Sequence, residues 1–288
     1  ESLAHMHHAP SIQDHNEKMS RESQGRLRLG AHFAPQQNHR LLARNSDFVT
    51  SSIPFESLEE GILTYSAGFN LTYAISQSLS IQTGLNYINT GQFVSDIHAY
   101  KHPGDIPLFE ADRNSGLLVH PQTILTSQGS IRFHDPYHYF ADVQSHRVIT
   151  NKQSMDVGDI KSLRQTNTGL TQVFQFVELP VAFRYEVVGG FASLHVKGGL
   201  SVNYLLGNDV YAGTNIFQSS IGETYGVRKL NFAAMGGFSL DIPLAGNLRL
   251  HLEPTAQIFL NPILQEGMMM GHAYPYNYSL QTGISYGF

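Results

Sequence analysis

From Arg26 to Phe288 the chain keeps returning to one pattern, in which apolar and polar residues alternate with a period of two. That period puts successive side chains on opposite faces of a β-strand. Arg26–Pro35 sets Leu27, Leu29, Ala31 and Phe33 against Arg26, Arg28, Gly30 and His32. Ile62–Ile75 and then Leu79–Tyr87 do the same, separated only by Ser76-Gln77-Ser78. Five further segments alternate: Val173–Tyr185, Ala192–Leu206, Arg228–Leu244, Leu248–Leu260 and Tyr276–Phe288. No stretch reaches the 18 or so uninterrupted apolar residues of a membrane helix.

A soluble β-sandwich also alternates, so the connections have to decide. Three are tight, near Ser76–Ser78, Val188–Gly190 and Ala245–Asn247. The others, 36–60, 95–170, 208–226 and 261–275, are long. Short and long connections alternate, as the periplasmic turns and extracellular loops of bacterial barrels do. Arg26, Arg28, Glu178, Arg184, Lys197, Lys229, Asp241, Arg249 and Glu253 all fall on the polar face. An eight-stranded barrel is only wide enough for side chains to fill, so these charges would pair inside as a lumen network. Tyr65, Tyr73, Tyr204, Tyr278 and Tyr286 lie near strand ends on the apolar face, where interfacial girdles belong. The expectation is all-β: an eight-stranded antiparallel transmembrane β-barrel over 25–288, strand one pairing with strand eight. It would sit in the outer membrane with both termini periplasmic. Residues 1–24 read as a polar periplasmic extension, and 95–170 as a large extracellular loop insertion.

Composition agrees. Only 14% of residues are charged, against about 25% in soluble domains. A net charge of −5 gives no reason to expect nucleic acid. With no cysteine, disulfides, thiolate metal sites and cysteine catalysis are excluded. Glu1-Ser2-Leu3 shows no signal peptide, so a mature or trimmed form is expected. There is no Gly-x-Ser-x-Gly, no phosphate-cradling glycine loop and no His-Glu-x-x-His. Neither an enzyme nor a cofactor is expected.

The ending Gln281-Thr-Gly283-Ile-Ser-Tyr286-Gly-Phe288 resembles the assembly signal of outer-membrane barrels. The final strand is an open edge until the barrel closes, and such an edge templates strand addition by the barrel assembly machinery. Gln281, Gly283, Tyr286 and Phe288 would carry that signal.

Three further places resemble the β-barrel family of Bacteroidota outer membranes. They are Leu79-Ser-Ile-Gln-Thr-Gly-Leu-Asn-Tyr87, Phe176-Val-Glu-Leu-Pro-Val-Ala-Phe-Arg-Tyr185, and His251-Leu-Glu-Pro-Thr255 with Tyr274-Pro-Tyr276 and the closing strand. The resemblance implies the barrel but not one function, because that family is functionally mixed. Some relatives are the C-terminal barrels of anti-sigma factors that span both membranes; residues 1–24 would then be the end of a periplasmic linker.

His5, His7 and His8 cluster near the N-terminus but lack carboxylate support, so a solvated leader is the better reading than a metal site. Asp112-Arg-Asn114-Ser-Gly116 opens like a calcium loop, yet its twelfth position is Thr123 rather than Glu, which leaves a turn. His98, His102, Asp105, His134, Asp135 and His138 lie in the insertion and read as polar loop rather than as a hydrolase centre. The insertion is too apolar for a disordered segment and is expected to fold over the barrel mouth or dock on a partner. Phe133, Tyr137, Tyr139 and Phe140, with Met268, Met269 and Met270 of the last long loop, are the candidate partner contacts. The expected function is a non-enzymatic barrel acting through protein contacts at the outer loops or the leader, in an outer-membrane complex or in surface signalling. A small passive porin and a rim hydrolase are the alternatives.

Overall fold

The computed structural model describes residues 26–43, 53–109, 120–143, 146–150, 162–216, 219–265 and 272–288. Eight long strands form the staves: β1 (Leu27–Ala43), β3 (Leu63–Ala74), β4 (Leu79–Lys101), β9 (Arg164–Val188), β10 (Ser193–Ala212), β12 (Leu230–Ala245), β13 (Leu248–Phe259) and β14 (His272–Gly287). Six short strands accompany them: β2 (Glu59–Gly61), β5 (Gln122–Thr126), β6 (Gly129–Phe133), β7 (His138–Asp142), β8 (Val148–Thr150) and β11 (Gly222–Tyr225). A single helical turn, α1, spans Phe55–Leu58.

The staves pair antiparallel in the order β1–β3–β4–β9–β10–β12–β13–β14, and β14 returns to β1. At the closure Ala31 lies opposite Phe69 on one side and Ile284 on the other. The ring is complete around the belt, as a bilayer demands, since only a helix or a closed barrel satisfies every backbone group there. The three tight turns lie where the alternation breaks. Together these features make an eight-stranded antiparallel transmembrane β-barrel.

The outer wall is apolar. Phe69 is 65% exposed, Phe183 54% and Leu200 60%, a pattern that suits lipid rather than water. Tyr73, Tyr185 and Tyr286 ring the turn end, while Tyr65, Tyr87, Tyr204 and Tyr278 ring the loop end, all outward.

Several staves outlast the expected boundaries. β1 continues through Pro35 to Ala43, although proline lacks the donor a central strand needs. Pairing with β14 skips Ala34 and Pro35 and resumes in the same register at Gln36–Ser279. Residues 95–170 are likewise not all loop, since Ser95–Lys101 belong to β4 and Arg164–Leu170 to β9. Those extensions rise beyond the belt and continue the barrel sheet into the short strands, in the order β8–β5–β6–β11–β10–β9–β4–β7. This upper part of the sheet is the cap. A register shift in β4 between Val94 and His98 marks the start of the cap, with Asp96 at φ 60° and Gly169 opposite at φ 83°. A bulge of this kind bends a strand and raises its twist, turning the stave into the cap.

The apolar interior lies in the loop-end half. Ile88, Phe174, Phe176, Val227, Ala233, Phe259, Ile263, Leu264 and Ala273 fill the barrel mouth. Val94, Ile97, Ile124, Ile131, Phe133, Phe140, Leu170, Val210 and Ile221 form the separate core of the cap.

Candidate functional site

Inside the turn-end half the alternation brings charges together. Arg184 Nη2 is 3.0 Å from Asp241 Oδ1 and 3.8 Å from Glu253 Oε1. Lys197 Nζ is 2.9 Å from Glu253 Oε2, and Arg28 Nη1 is 3.4 Å from Asp241 Oδ2. The Ser239 hydroxyl accepts from Arg184 at 2.7 Å and lies 2.9 Å from Glu253 and 3.0 Å from Asp241. Glu253, Asp241, Arg184 and Lys197 are all buried. Burial strengthens each attraction, and each charge has a partner to offset its desolvation.

The network differs from the sequence expectation in three places. Arg26 precedes β1 and Lys229 precedes β12, and both are exposed outside the lumen. Past the strand ends the alternation no longer fixes a face. Arg249 is half-buried near the turn end, on the inward side. Glu178 is buried, but among the described residues its carboxylate accepts from amides rather than cations: Asn86 Nδ2 at 2.7 Å, and Gln257 Nε2. Gln257 Nε2 also reaches Ser201 Oγ at 3.1 Å. A cavity in this middle layer is lined mainly by polar side chains, among them Asn70, Gln82, Asn86, Gln257 and Asn277, with Glu178 and Lys197. The apolar mouth closes it above, with Phe176 and Phe259 edge to face at 5.6 Å. Among the described residues the lumen is thus layered, with ion pairs at the turn end, polar side chains in the middle and apolar side chains at the mouth.

Above the mouth a buried ionic joint ties the barrel to the cap. Glu59 accepts from the Ser127 N–H at 2.9 Å and from the Ser127 hydroxyl. Arg40 Nη2 is 3.3 Å from the Glu59 carboxylate, and Arg40 also donates to the carbonyls of Phe55 and Glu59. Burial pushes the Glu59 carboxyl above the ordinary carboxylate range, with Arg40 and Ser127 opposing the shift. A second buried pair, Arg147–Asp142, is bidentate at 3.2 Å, and Arg147 Nη2 donates to the Ser95 carbonyl at 2.7 Å. The sequence reading missed these four residues because Glu59, Asp142 and Arg147 lie in short strands and turns, and Arg40 lies in the part of β1 beyond Pro35, where the expected strand ended. An arginine beside the apolar pair Val148-Ile149 was the only available signal for Arg147.

The cap surface also differs from expectation. Phe133 and Phe140 are not contact residues: they are 6% and 1% exposed, stacked with centroids 4.0 Å apart inside the cap core. Both lie on the inward parity of their strands, and the cap buries that face. Tyr137 is exposed and Tyr139 half-buried, which leaves them on the surface with Ile106, Val143 and Ile149. The Lys101 ammonium sits 5.7 Å from the Tyr137 ring centre. Asp135 contacts His138 Nδ1 and accepts from the Tyr137 N–H at 2.8 Å. Burial alone would raise the Asp135 carboxyl, but those two partners bring it below the ordinary value. Met268, Met269 and Met270, the histidines of 1–24 and the Asp112–Gly116 turn lie outside the described residues.

At the closing strand, Gln281 lines the lumen cavity, and Tyr286 and Phe288 face outward with ring centres 5.2 Å apart. A Cβ on Gly283 would lie 2.1 Å from the Ala31 carbonyl oxygen and 2.5 Å from His251 Nε2, so glycine is required sterically there.

No protein-family model matches the chain, and no curated protein sequence matches it. Among solved structures, Neisserial surface protein A is 8% identical, with a TM-score of 0.40 over 91% of this chain and 97% of that one. Ail, the attachment invasion locus protein of Yersinia pestis, is 8% identical, with a TM-score of 0.35 over 91% and 99%. The outer membrane protease OmpT from Escherichia coli is 9% identical, with a TM-score of 0.37 over 91% and 96%. Similarity this low carries no argument about function; the barrel is established by the strand pairing and closure of this chain.

Proposed function

We propose that this chain is a non-enzymatic outer-membrane barrel that acts through protein contacts made by its extracellular cap. The observation behind this reading is the division of labour between wall, lumen and cap. The wall presents an apolar belt, and the lumen is filled by ion pairs, amides and an apolar mouth. Among the described residues the cap, with its own core, is the part that offers a built surface to a partner, and Tyr137 and Ile106 are exposed apolar side chains on it. The barrel fixes that surface relative to the membrane, as a subunit of an outer-membrane complex or a surface-signalling barrel would require. A passive porin fits the filled lumen poorly, because an ion crossing it would have to displace buried pairs and apolar side chains.

Site-specific photo-crosslinking in cells tests the proposal. A crosslinker at Tyr137 should trap a discrete protein adduct, while one at the lipid-facing Phe69 should not. Equal adducts at both positions, or none at Tyr137 and at neighbouring cap positions, would rule out the cap as the contact.

A further inference from the structure

The eight-stranded cap sheet nearly closes on itself. Its end strands, β7 and β8, face each other across a seam, and among the described residues no backbone ladder joins them. Side chains close the gap instead. Gln122 Oε1 accepts from the Phe140 N–H at 2.8 Å, and Gln122 Nε2 donates to the Phe140 carbonyl at 2.8 Å. One side-chain amide thus satisfies both backbone groups that Phe140 turns away from β4, as a neighbouring strand would.

His120 holds the foot of this bridge. Its Nδ1 is 3.1 Å from the Gln122 backbone nitrogen, and its Nε2 is 3.0 Å from the His138 carbonyl oxygen. A backbone N–H can only donate and a carbonyl can only accept, so the hydrogen bonds assign one state: Nδ1 bare, Nε2 protonated, ring neutral. A proton on Nδ1 would set donor against donor at Gln122 and place a cation among aromatic rings. Phe109, Phe133 and Phe140 stand 4.6, 5.1 and 5.9 Å from the imidazole, and the residue is 7% exposed.

We propose that the β7–β8 seam is an acid-sensitive latch, closed by neutral His120 and released when its Nδ1 takes a proton, which frees the backbone edge of β7. The proposal stands whether or not the cap is the partner-binding surface. Among the described residues two titratable groups act on His120: Asp135 favours its protonation and His138 opposes it. The rings packed against it are neutral. Burial dominates and sets the imidazole below the ordinary histidine value. The opened state therefore binds the proton more readily than the closed one. Closure is at full strength above the ordinary value of ~6.5 and weakens as pH falls below it, until the closed-state value is reached. Arg147, bonded to Asp142 and to the Ser95 carbonyl, holds β7 and the start of β8 to β4 without a histidine. That anchor confines the opening to the seam.

Hydrogen exchange on the whole chain in detergent micelles, from pH 8 to pH 5 and corrected for the intrinsic pH dependence, tests the latch. Protection at 120–124 and 138–142 should fall about ten-fold per pH unit below ~6.5, while stave amides at 177–185 hold steady. His120→Gln should abolish that dependence, and His138→Gln should keep it. Protection that does not change with pH in the unaltered chain, or a dependence that survives His120→Gln, would overturn the proposal, as would its loss in His138→Gln alone. If His120→Gln leaves the seam unprotected even at pH 8, an NMR titration of the His120 ring in the unaltered chain decides instead. Its midpoint must coincide with the loss of protection, and a mismatch overturns the latch.

Discussion

Glu253, 1% exposed, meets Lys197, Ser239 and Arg184 within the lumen. Glu253→Ala would leave Lys197 buried without its carboxylate, and we expect a loss of about 3–5 kcal/mol. The double replacement Glu253→Leu with Lys197→Met removes both charges and should cost far less, because a buried pair exchanged for apolar volume is often close to neutral. Denaturant unfolding in micelles, followed by the gel shift between folded and heated forms, measures both. A double variant as unstable as the single one would show that the pair contributes more than its own desolvation cost. Glu178 makes the contrast. Its partners are the amides of Asn86 and Gln257, so Glu178→Gln, which keeps one acceptor oxygen, should cost only about 1 kcal/mol.

At the level of elements, the alternation located every stave and every tight turn because a lipid-facing wall and a polar lumen impose opposite chemistry on successive residues. It failed where that contrast fails. Phe174 and Phe176 occupy the inward parity of β9, and Phe259 that of β13; period-two reading registers such residues as irregularities, although they build the apolar mouth. The cap was legible as an apolar excess in 95–170 but not as a sheet, since its strands are three to five residues long and bury one face against a core that other segments supply. Gly169 sits at the join, at φ 83°, where a Cβ would lie 2.2 Å from the Phe93 ring. Gly169→Ala should therefore weaken the cap by roughly 1–3 kcal/mol of backbone strain, with the ring clash added. Phe140→Ala, which opens a cavity beside Phe133, should cost about 3–5 kcal/mol. Both losses should appear as protease sensitivity in 120–150 while the barrel still shifts on heating, because the two apolar cores are separate. Simultaneous loss of cap and barrel would mean that they unfold as one unit.

For the whole molecule the question is what closes the barrel. Two answers are available, a lid formed by the cap or a filling supplied by the staves, and the structure separates them. The turn-end ion pairs come from β1, β9, β10, β12 and β13. The apolar mouth comes from staves together with Val227, Ile263 and Leu264 of the adjoining loops. The buried members of both come from staves and adjoining loops, and the cap adds Leu125 of β5, which packs against the mouth. Replacing 96–167 with a short turn leaves Val94 opposite Leu170, so β4 and β9 can still be joined as a hairpin. The excision removes Ser127 and so strips Glu59 of two donors, but Arg40 remains 3.3 Å from its carboxylate. We therefore expect the shortened chain to fold with a heat-dependent gel shift, to be somewhat less stable, and to remain as non-conducting as the full chain in planar bilayers. A lid mechanism predicts the reverse, with steady ion current appearing as soon as the cap is gone. Current in the shortened chain that Leu264→Ala does not increase further would place the seal in the cap. An electrically silent shortened chain that begins to conduct only when Phe176 and Phe259 are also cut to alanine would place it in the barrel mouth.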